Sequence, residues 1–288
     1  MLQLVMRGRE ADLGHGLKVR RLLPQVQQRH VGPFVFLDHA GPVVIAPEHA
    51  RAADVRPHPH IGLSTVSYLL GGEVTHRDSL GVTQVLKPGD VNWMTAGRGI
   101  SHSERFETPG AFAGGGLELM QFWVGLPEAD EEVEPSFVHH PADTLPEAVA
   151  DGVWMRLIAG EAYGLRSPVA TRSPLFYLHT VWQPGATAAL PGGYTEQGVY
   201  VLSGAVEHAG QTYSAGDLLV FDNAADTLRA SETSTLMLFG GEPLGQRFIW
   251  WNFVSSRKER IEQAKADWQS GVIPLPPHDN GEFIPLPA

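Results

Sequence analysis

Apolar residues along the chain come in short runs closed by Gly, Pro or Asp, with almost no long helical periodicity. Leu17–Leu23 and Phe34–His39 have strand character, and Leu63–Leu70 is an apolar strand ending at Gly71-Gly72. Glu73–Arg77 leads to a turn at Asp78-Ser79-Leu80-Gly81, and Val82–Leu86 is closed by Lys87-Pro88-Gly89-Asp90. That turn has Pro and Gly at the positions that favour them. Val91–Met94 and Leu119–Val124 complete the first half. Runs of about 4–8 residues with this punctuation predict an all-β sandwich or barrel.

The pattern then repeats. Tyr200–His208 echoes Tyr68–His76, and Ser214–Phe221 echoes Lys87–Met94. Two copies of one strand–Gly–strand–turn–Gly-Asp–strand unit predict a duplicated barrel. Between them, residues 128–152 shift in composition: Glu128–Glu134 is acidic, and Pro135, Pro141 and Pro146 follow. A linker is expected over 135–152, with barrels over 1–134 and 153–288. The Ser256-Arg257-Lys258-Glu259 run reads as a capping box. It opens a helix over 256–270 with an Ile261, Ala264, Trp268 stripe and a stop at Gly271. From Ile273 the tail is Pro-rich and extended.

A chain of 288 residues exceeds the usual ~100–200 per domain, so one large or two modest domains fit, with a core that needs no staples. Cysteine is absent, which excludes disulfides, thiolate ligands and a cysteine nucleophile. A formal charge of −11, from 21 basic and 32 acidic residues with no Lys/Arg cluster, excludes direct phosphate-backbone binding. The N-terminal residues lack the features of a signal peptide, and no apolar run reaches the ~18 residues a membrane span needs. A soluble cytoplasmic protein is expected (nuclear also, in a eukaryote), without membrane or nucleic-acid partners and monomeric.

The candidate chemistry lies in Val55–Glu104. His58 and His60 are spaced i,i+2, as are His102 and Glu104, with strand-like sequence between the pairs. On a β-strand i and i+2 share a face, so each pair can point one way. If the two strands are neighbours, four ligands converge. Pro59 places the first at a strand start, an edge or a bulge. Three imidazoles and a carboxylate suit Fe, Mn, Ni, Cu or Zn. On an octahedral ion they leave two positions open, as a catalytic metal requires. Glu104 is also the nearby candidate for a general base if it detaches. Counting back from Gly204 as from Gly72, the second copy has Leu190 and Gly192 where the first has His58 and His60. The region of His102 and Glu104 becomes Leu228-Arg229-Ala230-Ser231. That copy carries no ligand set. His39 beside Asp38 reads as a structural hydrogen bond in a turn, and His139-His140 as a solvated pair. Phe36, Trp93 and Gln121 are candidates for the pocket lining.

Gly32–His39, Arg56–Leu63, His76–Ser79, Gly97–Glu104 and Ser255–Trp268 together resemble the pirin family, bicupins of the cupin superfamily. The resemblance covers nearly the whole chain. It implies an all-β fold of two tandem cupin (jelly-roll-type) β-barrels with a short C-terminal helix. It implies one metal, in the N-terminal barrel only, iron by usual assignment, held by His58, His60, His102 and Glu104. The general cupin pattern has a Glu four or five residues after the second His; Ser64 and Thr65 stand there, so Glu104 must supply the carboxylate. Two roles follow from the resemblance. One is a quercetin (flavonol) 2,3-dioxygenase, which opens the heterocyclic ring with O₂ and releases CO, Glu104 taking the proton of the 3-hydroxyl. The other is a redox-responsive partner of transcription factors or metabolic enzymes.

Overall fold

The structure, a computed structural model, describes residues 1–12, 17–222 and 226–287. The chain is mostly strand and divides into two units, each built on two larger β-sheets, with a further two-stranded sheet, Phe248–Trp250 beside Phe253–Ser255, in one of them. Among the described residues no helix is long and apolar enough to cross a membrane.

The first half builds most of one unit: residues 10–21, 36–142 and 244–288. Its four-stranded sheet runs in the order Val55–His60, Ile100–Arg105, Val74–Asp78, Thr83–Leu86. A seven-stranded sheet faces it, centred on Val91–Thr95, Leu63–Gly71, Leu117–Gly125 and Phe34–Val43. Leu69, Val74, Leu86, Phe106, Leu117 and Leu119 form an apolar core in this unit. Val55–His60 is an edge strand, which is where its two prolines cost least ladder bonding. Gly62, just after it, has φ +67°, and a Cβ there would lie 2.0 Å from the carbonyl oxygen of Val254. Only glycine fits that close approach.

The other unit comprises residues 1–9, 22–35 and 143–243. Its interior is filled with apolar side chains, among them Phe176, Leu178, Trp182, Leu190, Phe221 and Leu228. Leu190 and Leu228, which fall in the segments corresponding to the ligand strands, are core residues here.

The units do not follow the boundaries read from the sequence. Leu2–Arg7 is hydrogen-bonded antiparallel to Asp217–Asp222, so the first strand belongs to the second copy's sheet. Arg7 secures it through Asp217 at 2.7 Å. Conversely, the C-terminal helix and tail belong to the first copy's unit. The expected linker at 135–152 is not a free connector. Ser136–His140 extends the seven-stranded sheet beside Val91–Thr95, and Glu147–Ala150 pairs antiparallel with Val153–Ala162. Within the acidic run, Glu131 is only 2% exposed and pairs with Arg247 at 3.1 Å.

The helix spans Lys258–Ser270, buries Ile261, Ala264 and Trp268, and ends at a left-handed Gly271, as the sequence predicts. Its start differs. Arg257 is the N-cap, and no side chain caps it. Ser256 instead donates its N–H to Glu131 Oε1 (2.8 Å) and its hydroxyl to Oε2 (3.1 Å), and Ser255 Oγ also donates to Oε2 (2.8 Å). A buried carboxylate needs those donors more than an exposed helix end does.

Candidate metal centre

The edge strand Val55–His60 and its neighbour Ile100–Arg105 are antiparallel, with His102 opposite His58 and Ile100 opposite His60. The i,i+2 spacing therefore turns His58, His60 and His102 to one face. Their ring centroids lie 5.0, 4.5 and 5.1 Å apart, and one nitrogen of each falls within 4.8 Å of the others. All three side chains are buried.

The hydrogen bonds sort the ring nitrogens. A backbone carbonyl can only accept, so His58 Nδ1 donates to Arg56 O (2.9 Å) and His60 Nδ1 to Asn252 O (3.2 Å). Each neutral ring is then left with an Nε2 lone pair. The Nε2 atoms of His60 and His102 are buried without any hydrogen-bond partner. Such orphans are costly in a core, and metal ligation through one ring nitrogen with the other hydrogen-bonded relieves that cost. Burial pushes all three histidines below the usual range, His58 to about 4. The positive charge of neighbouring imidazoles adds to the effect. The donor set is thus neutral near pH 7, as ligation of a divalent ion requires.

Glu104, expected as the fourth ligand, is not part of this three-histidine group. A bulge in the pairing with the edge strand falls between His102 and Glu104, which pairs with Val55 on one side and His76 on the other. Burial raises its carboxyl to about 7, partly offset by a hydrogen bond with Ser67. Ser67 Oγ in turn donates to Gln121 Oε1 at 2.8 Å. A protonated Glu104 can donate into this chain, and an ionised one draws the Ser67 proton back.

The facing sheet supplies the rest of the lining. Ser67 pairs with Gln121 and Asn92, and Thr65 with Trp123 and Met94, so these residues share the inner face. Trp123 meets His60 edge-on (5.2 Å, 76°) and stacks on Phe36 (4.0 Å, 14°), over which Arg21 lies. Gln121 and Phe36 are thus beside the site. Trp93 pairs with Val66, whose side chain points the other way, and is not.

Other sequence candidates part company. Asp38 takes the guanidinium of Arg21 (2.7 and 2.9 Å), whereas His39 bonds Glu118 at 3.1 Å; both lie in a strand rather than a turn. His139 is a strand residue bonded to Asn92 at 2.8 Å rather than a solvated one. The residue missed as a site component is His76. Its Nδ1 lies 3.3 Å from His102 Nδ1, its Nε2 lies 3.0 Å from Asp78, and its ring stacks on Phe137 (4.4 Å, 18°). The i,i+2 spacing of His76 and Asp78 was a signal of the same kind as that of His58 and His60.

A family model described as pirin matches residues 16–124, and one described as the pirin C-terminal cupin domain matches residues 177–274. A pirin-like protein of Caulobacter vibrioides is 54% identical over 290 residues, covering 100% of both chains. Human pirin is 34% identical, over 91% of this chain and 90% of its own. Among solved structures, one named quercetin 2,3-dioxygenase from Acinetobacter baumannii superposes with a TM-score of 0.90 at 31% identity, covering 99% of this chain and 95% of that one.

Proposed function

The chain belongs to the pirin family, and from that premise we propose that it is a metal-dependent dioxygenase of flavonol-type substrates, of the quercetin 2,3-dioxygenase class. The observation that carries this reading is the combination in one barrel of three convergent buried imidazoles, two of them with partnerless Nε2 atoms, and a carboxyl group raised to about 7. The Acinetobacter baumannii structure bearing that enzyme's name supports it. His58, His60 and His102 would hold one divalent ion, Fe(II) in our reading, with Mn, Ni, Cu or Zn as alternatives; Glu104 would be the fourth ligand. When bound, a redox-active ion supplies the electronic link between an electron-rich substrate and O₂.

The protein's own residues do the remaining work. Glu104, once detached, accepts the proton of the flavonol 3-hydroxyl, because a base with a pKa near the working pH combines availability with driving force. Ser67 and Gln121 hold that carboxylate in place. Trp123, edge-on to His60 and backed by Phe36, puts an apolar aromatic wall beside the histidines. The barrel wall excludes bulk water from the histidines, which are each less than 10% exposed.

The test is anaerobic reconstitution with Fe(II), followed by O₂ and quercetin, recording loss of flavonol absorbance and release of CO. Both signals are expected. Absence of turnover with every first-row divalent ion, at stoichiometric loading, would remove the dioxygenase reading and leave the metal site standing.

A further inference from the structure

His102 differs from the other two histidines in what orients it. His58 and His60 each use a fixed backbone carbonyl. His102 uses the side chain of His76, and His76 uses Asp78. We propose that Asp78 and His76 form a positioning pair that sets the tautomer of His102, so that its Nε2 is the atom offered to the metal. This rests on the metal-centre reading above and extends it beyond the ligands themselves.

The assignment follows from the hydrogen bonds in sequence. Asp78 is fully buried, and its Oδ1 accepts the N–H groups of Leu80 (2.9 Å) and Val82 (3.2 Å). The turn thereby fixes the carboxylate and aims Oδ2 at His76 Nε2. A carboxylate accepts, so His76 Nε2 carries the proton, and a neutral His76 has a bare Nδ1. That atom faces His102 Nδ1 at 3.3 Å. The contact is a hydrogen bond only if His102 Nδ1 donates, which leaves its lone pair on Nε2, the buried atom without a partner. Stacking on Phe137 holds the His76 ring plane. A carboxylate behind an imidazole is a recurrent way of orienting a metal-binding histidine; here a second imidazole lengthens the chain by one link.

The second copy offers an internal contrast. By the repeat, His208 corresponds to His76 and Gly210 to Asp78. His208 Nδ1 there meets the backbone carbonyl of Thr227 at 3.2 Å. Its Nε2 lies 3.9 Å from Asp226, against 3.0 Å between His76 and Asp78, so the copy without ligands has no carboxylate at the i,i+2 position and none hydrogen-bonded to that imidazole.

The full chain loaded with Zn(II), with ring ¹⁵N–¹H correlation, reads the tautomers directly. We expect protons on His76 Nε2 and His102 Nδ1, and none on His76 Nδ1. A proton on His76 Nδ1 would overturn the proposal while leaving the metal centre intact. Failure of the wild type to bind Zn(II) at all would remove both readings. Two variants supply the energetic test, with Co(II) affinity measured by chelator competition. His76→Phe keeps the stack but removes the acceptor, and should weaken Co(II) binding by about 10–100-fold. His76→Gln can accept from His102 and donate to Asp78, and should restore affinity to within a few fold. Equal losses in both variants, or no loss in a folded His76→Phe protein, would contradict the proposal.

Discussion

His58 and His102 face each other across two antiparallel strands, with ring centroids 4.5 Å apart and both rings buried. Without a metal, protonating either is opposed by lost hydration and by the charge of its neighbours. Their folded-state pKa values therefore lie below those of the unfolded chain, and the native state binds fewer protons. Stability of the metal-free protein is unaffected above about pH 6.5 and falls as pH drops towards 4. For His58 alone, a shift from 6.5 to about 4 corresponds to about 3 kcal/mol. Denaturant melts of the metal-free chain across this window should show the loss, and a flat profile would contradict the burial-driven shift.

Glu104→Gln removes the proposed base and keeps its size. Turnover of a flavonol should fall by about 10²–10⁴-fold, with the protein still folded. In the wild type the ionised carboxylate is the active form, so kcat/KM should rise with pH as Glu104 ionises. The variant should lack that limb. Steady-state rates from pH 5.5 to 8.5 decide the matter.

Arg105 lies beside the site but faces the other way. Along Ile100–Arg105, His102 and Glu104 belong to the site, whereas Ser101, Ser103 and Arg105 hold the C-terminal tail. Ser101 Oγ donates to Pro274 O, Ser103 Oγ to Asp279, and Arg105 makes a two-pronged contact with Asp279 at 2.7 Å per bond. Arg105→Met leaves Asp54 and Asp279 without their cation and should cost about 3–5 kcal/mol. Chemical denaturation measures this, and limited proteolysis should show the tail cut earlier than in the wild type.

Leu228 is a core residue of the ligand-free barrel. Leu228→Ala should destabilise the protein by about 2–5 kcal/mol and leave metal stoichiometry unchanged. Denaturant titration and metal analysis of the same sample separate the two effects.

The strands of the three histidines were legible because their information is local: the i,i+2 spacing sets the face, and prolines mark the edge. The repeat was legible for the same reason, and it exposed Leu190 and Leu228 as replacements. What could not be read locally are long-range exchanges. Leu2–Arg7 finds its partner more than 200 residues away, in Asp217–Asp222, so no nearby composition signal marks the true domain limits. Ser256 has a capping sequence, yet the buried Glu131 claims it. His76 and Asp78 carried the right spacing, but only the fold shows that Glu104 and His102 lie opposite them. The position of Glu104 relative to the histidines depends on a bulge, which strand alternation does not foresee.

His58, His60 and His102 are expected to hold one metal ion together. Metal analysis of the purified chain after Fe(II) or Zn(II) loading and removal of excess tests it most directly, alongside His58→Ala and His102→Ala. One equivalent is expected in the wild type, with loss of that equivalent in each folded variant. Full occupancy in either variant would place the metal elsewhere and contradict it.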